Sequence, residues 1–108
     1  MLTEGPARWL HTAGVVPIAP DGSVPSGLAE QATQIWSKIA AMLSEAGMSA
    51  ADVISVTTYV VVGEELASVM RARDEFLDGR RVASTLVMVP ALARPEWRVE
   101  IAIVAAAP

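Results

Sequence analysis

The feature that most constrains this chain is a pair of segments with helical period, each carrying a single apolar stripe, set on either side of a β-branched run. In the first, Leu28, Ala32, Ile35, Ile39, Leu43 and Ala46 share one face, and Glu30, Gln34, Ser37 and Glu45 lie away from it. Ser26 stands before it as a cap and Gly47 follows as a left-handed stop. The second runs from about Glu64 to Asp78. Leu66, Val69, Met70 and Phe76 form its stripe, acids open it, and Gly79 closes it. Between the two lies Ile54 to Val62, ISVTTYVVV, dense in residues that suit a pleated surface. A one-striped helix must bury its stripe against something, and here a sheet is at hand.

Further strand-like stretches complete that sheet. Ser84 to Val89 and Arg98 to Val104 read as strands, and Arg8 to Ile18 reads as a weaker one, ended by the turn signal Pro20-Asp21-Gly22. Ser49 to Asp52 has capping-box spacing just before the central strand. The order strand, helix, strand, helix, strand, strand predicts an α+β sandwich of two layers: two helices on one face of a mixed sheet of about four or five strands. With no repeat, linker or low-complexity tract, residues 1–108 are expected to form a single domain. The last strand shows what the other sheet face must do. Val99, Ile101 and Ile103 suit the helix layer, whereas Glu100, Ala102 and Val104 on the opposite face mix one carboxylate with small apolar groups. Such a face suits contact with another subunit. The composition agrees: 53% of residues are hydrophobic and only 19% charged, an excess that self-association hides.

Composition also excludes function classes. There is no cysteine, so disulfide frameworks and thiolate metal sites are ruled out. A net charge of -4, with 8 basic residues dispersed, argues against binding a nucleic-acid backbone. The longest apolar run, Ile101 to Ala107, is far short of a membrane span. The opening Met1 to Pro6 lacks the basic and apolar regions of a signal peptide, so a cytoplasmic location is expected.

Motifs of general chemistry are sparse. His11 is the one histidine, without a nucleophile elbow or a carboxylate at suggestive spacing, and it reads as a strand-edge residue. Without an Asp-x-Asp loop no metal site is expected. Gly14, Gly22 and Gly27 are too far apart for a phosphate cradle, and Trp9, Trp36 and Trp97 have no interleaved basic residues. Trp36, at the edge of the first stripe, reads as core or interface. The pair Arg80-Arg81 after the second helix either complements the helix dipole or binds an anion.

Several strings together resemble one family. Gly14-Val15-Val16-Pro17 followed by Pro20-Asp21-Gly22 is similar to the opening motif of the RidA/YjgF family, also called endoribonuclease L-PSP. The resemblance continues through Glu30 to Gln34, Ala46-Gly47 with Asp52-Val53, Val56 to Val60, Ala83 to Val87, and Val99-Glu100-Ile101, in family order over about residues 9–106. It implies a chorismate-mutase-like fold and a homotrimer whose sheets pack into a central barrel, with small-molecule clefts between subunits and no cofactor. It also implies a chemistry: hydrolysis of 2-imino acids to 2-keto acids and ammonia, with an arginine clamping the substrate carboxylate and a carboxylate positioning water.

This sequence departs from that equipment at most positions. The family's arginine falls on Ala83, and the second glutamate of its Glu-Ile-Glu falls on Ala102. Ala13 and Val15 replace the serine and glutamine that flank the motif glycine, and the family's helix asparagine falls near Met70. Gly14, Ser84, Thr85 and Glu100 match. The expected ligand-binding positions are therefore Gly14, Ala83, Ser84, Thr85 and Val87, around a cleft made apolar, taking a small uncharged metabolite without 2-imino acid deaminase activity. Two alternatives stand beside this. Arg81 and Glu100 could restore a deaminase from displaced positions, or the trimer could be a non-enzymatic protein-binding module. Nothing in the residues predicts RNA cleavage.

Overall fold

The computed structural model describes residues 2, 4, 5 and 8–108. Its elements are β1 (Arg8–His11), α1 (Leu28–Glu45), a 3-10 turn (Ala50–Asp52), β2 (Val53–Val61), α2 (Ala67–Leu77), β3 (Ala83–Val89) and β4 (Val99–Ala107). The four strands form one mixed sheet in the order β1-β4-β2-β3. β4 runs antiparallel to both of its neighbours, and β3 runs parallel to β2 after the crossover through α2. This is the two-layer α+β sandwich that the sequence predicts.

Both helices cover one face. Ile35, Ile39 and Leu43 of α1 and Val69 and Leu77 of α2 are buried with Val56, Val60, Val99, Ile101 and Ile103 of the sheet in one hydrophobic cluster. Trp36 joins the core, its ring stacked on Phe76 at 4.5 Å, which ties α1 to α2. Burial of such side chains contributes about 1.5–3 kcal/mol each, so this layer supplies most of the driving force for folding.

Element boundaries differ from the sequence expectation for local reasons. Gly27, not Ser26, occupies the N-cap of α1, and no side chain caps that end. Gly47 takes a positive φ and does end the helix. The second helix begins at Ala67 rather than near Glu64. Gly63 turns the chain there with a φ of 96°, and Glu64 leaves the helix to pair with Arg98 at 2.8 Å. Met70 of the expected stripe faces solvent instead, at 39% exposure, and Leu77 takes its place in the core. Ser49 and Asp52 form the expected capping box.

The opening strand is the largest departure. Regular pairing stops at His11 and then resumes with one extra residue. Thr12 donates its N–H to Ile103 O, whereas Val15 exchanges both backbone bonds with Ile101. Three residues therefore oppose two, a bulge that leaves Ala13 and Gly14 outside the regular ladder. Lys38 tethers the segment beyond it, donating to Val16 O at 2.9 Å.

Candidate functional site

Strand alternation sorts the sheet's side chains into two populations. On the helix side β4 presents Val99, Ile101, Ile103 and Ala105, none more than 1% exposed. On the other side it presents Glu100, Ala102, Val104 and Ala106, all partly exposed, with no element of this chain over them. The register extends this uncovered face across the sheet. Val104 lies opposite Ser55, itself opposite Ala83; Ala102, Thr57 and Thr85 make the next row; Glu100, Tyr59 and Val87 make the third. Trp9 and His11 of β1 add their stacked rings on the same side.

The site residues expected from the sequence fall into three places. Ala83, Thr85 and Val87 lie together along the uncovered face of β3, an edge strand exposed for most of its length. Gly14 lies against Glu100: a Cβ on Gly14 would meet that carboxylate, the far end of a flexible side chain. Ser84 points to the other side of β3, where its Oγ accepts a hydrogen bond from Arg73 Nη1 at 3.1 Å.

Arg81 lies before β3 begins, not on its uncovered face. It lines a cavity of about 480 Å³ on the helix side with Arg73, Asp74, Leu77, Arg80 and Ser84. Glu100 is not part of that cavity. Within one subunit the fold therefore does not bring Arg81 and Glu100 together.

What remains around Ala83 is neutral. The hydroxyls of Ser55, Thr57 and Thr85 alternate with the methyl groups of Ala83, Ala102 and Val104, a lining that offers hydrogen bonds and apolar contact but no guanidinium. Among the described residues no group of three or more His, Asp or Glu side chains is placed to hold a metal ion, and no helix is long and apolar enough to cross a membrane.

One organising residue escaped the sequence reading. Gln31 is 1% exposed, and its amide bonds three backbone groups: Nε2 donates to Pro25 O and Glu96 O, and Oε1 accepts from Arg98 N. It fixes the loops on either side of the helix layer and sets where β4 starts. Its position one turn before Ile35 on the apolar stripe is the signal that would have found it. Asp21, in the turn after the bulge, accepts from both Ser23 N and Ser23 Oγ, which holds its carboxyl below the usual carboxylate range.

A two-layer sandwich with one sheet face left open, and a bulge glycine seated on a carboxylate of that face, defines a class of small α+β proteins. Comparison narrows it. Residues 4–107 match the endoribonuclease L-PSP family model, and the chain belongs to that family. Among solved structures, YyfB of the conserved Rid protein family from Yersinia pestis is 30% identical, with 94% of this chain and 80% of that one covered at a TM-score of 0.83. The yjgF product of E. coli is 26% identical over 97% of this chain and 84% of that one, at a TM-score of 0.83. E. coli TdcF, solved with bound serine, shares the fold at 22% identity and a TM-score of 0.86, covering 99% of this chain and 85% of that one. A sequence comparison with curated proteins gives no match.

Proposed function

We propose that this protein is a homotrimer of the Rid/YjgF type whose intersubunit clefts bind or process a small, uncharged metabolite, without 2-imino acid deaminase activity. The observation that carries this reading is the neutral row on the uncovered sheet face. Where the family resemblance implies an arginine and a glutamate, the chain has Ala83 and Ala102, and the neighbouring groups are Thr57, Thr85 and Val104. A guanidinium binds a carboxylate through two parallel charge-assisted bonds, and methyl groups offer nothing in return. A carboxylate entering this lining would be stripped of water without a partner, at a cost of several kcal/mol. A neutral ligand of amino-acid size could use the hydroxyls and bury its apolar part. A fold-mate, TdcF, accommodates a molecule of that size.

The trimer rests on the same face. Trp9 is 53% exposed and Val87 40%, and with Tyr59, Val104 and Ala106 they form an apolar surface that association would cover. The cytoplasm remains the expected location.

The test is an imine-removal assay. An amino-acid oxidase generates the 2-imino acid in place, and semicarbazide trapping reports its lifetime. The wild-type protein is expected to leave that lifetime unchanged, and the double variant Ala83→Arg with Ala102→Glu to shorten it. Rapid removal by the wild type, abolished in Arg81→Ala, would replace this reading with a deaminase that uses Arg81 across the subunit boundary.

A further inference from the structure

The cavity between the end of α2 and the start of β3 lies on the opposite side of β3 from Ala83, and its chemistry is of the opposite kind. Three of the chain's 8 basic residues, Arg73, Arg80 and Arg81, line it, with Asp74 as the one carboxylate. The local charge is thus +2 on a chain whose net charge is -4. Asp74 is committed to Arg73, accepting from its Nε at 3.1 Å and its Nη2 at 2.9 Å, while Arg73 Nη1 holds Ser84 Oγ. The Ser84 hydroxyl proton is left free to donate. Arg80 gives Nη1 to Ala51 O at 3.0 Å, and its Nη2 is buried with no hydrogen-bond partner. Arg81 makes no side-chain hydrogen bond or ion pair among the described residues.

Direct hydrogen bonding to the helix end does not account for this arrangement. The last carbonyls of α2 already accept backbone N–H groups: Asp74 O from Gly79, Glu75 O from Asp78, and Leu77 O from Arg80. Neither Arg80 nor Arg81 places its side chain on them. Three arginines around a cavity of about 480 Å³, with Arg81 uncommitted to any group among the described residues, suit a planar or tetrahedral oxyanion.

We propose that this cavity is a binding site for a compact dianion, a phosphate monoester or a small dicarboxylate, held by Arg80 and Arg81 with Ser84 as a further donor and with Arg73 positioned by Asp74. The site lies on the opposite side of β3 from Ala83 and does not rest on the reading given for the uncovered face.

Calorimetric titration of the purified protein at low ionic strength tests this, with inorganic phosphate in one arm and succinate in the other. Saturable binding of at least one of them is expected, weakened about tenfold or more by Arg81→Gln and by Arg80→Gln. Arg71→Gln removes the same charge from an exposed position of α2 outside the cavity and should leave the affinity unchanged. Arg80 also holds Ala51, so Arg81→Gln, which breaks no internal bond, is the decisive variant should Arg80→Gln unfold the protein. Phosphate alone saturating would assign a phosphate ester, and succinate alone a dicarboxylate. Failure of both to saturate, or equal weakening in Arg71→Gln, would overturn the proposal.

Discussion

The two faces of the sheet are made by the same strands, often by adjacent residues, yet they have different tasks. Ile101 is fully buried under the helices, while Glu100 and Ala102 on either side of it lie on the uncovered face. One face is large and aliphatic, and it holds the subunit together. The other mixes hydroxyls and small side chains with Trp9, Tyr59 and Val87, and no element of this chain covers it. The difference shows where change can accumulate. Positions 83 and 102 can change without touching the core, because the alternation of a strand insulates the two faces from each other.

This contrast can be broken from either side, and the largest effect belongs to the helix face. Ile101→Ala should cost about 2–5 kcal/mol, measured as a lower midpoint in urea. The neighbouring change Val104→Asp should act differently, keeping the far-ultraviolet circular dichroism while converting the assembly to monomer in light scattering, because a carboxylate would be desolvated in the interface. Equal loss of folded structure in both variants would mean that the two faces are not separate.

A smaller effect is expected at Gln31. Replacing it with Ala removes its bonds to Pro25 O, Glu96 O and Arg98 N. The cost should be about 1–3 kcal/mol, with hydrogen exchange accelerating at Arg98 before any change in the assembly. The smallest change is Gly14→Ala. Its new Cβ meets the far end of a flexible side chain, so the Glu100 carboxylate should swing aside at a cost below about 1 kcal/mol. A crystal structure of that variant with Glu100 unmoved would contradict the contact described for the bulge.

Much of the architecture was legible because it rests on period alone. The stripe from Ala32 to Leu43, the run of β2 and the alternation of Val99, Ile101 and Ile103 need no tertiary knowledge. Where the reading failed, a distant partner decided the outcome. Glu64 looked helical but is drawn to Arg98, and the opening strand is interrupted by a bulge that only its pairing with β4 reveals. β4 runs on to Ala107, past the expected end, because Ala105 to Ala107 are small residues held by pairing with β1 rather than by their own propensity. The candidate site divides in the same way. Alternation put Glu100 and Ala102 on one face of β4, but Arg81 could not be placed from its spacing, since that depended on where β3 starts.

The claim beneath all of this is that the uncovered face is an interface, and the mass of the wild-type protein in solution tests it most directly. Multi-angle light scattering across a concentration series should give three times the 11.4 kDa chain mass, persisting to low micromolar concentration. A mass of one chain throughout that range would contradict the account, because the face that carries Trp9, Val87 and Val104 would then stand open to water with no partner to cover it.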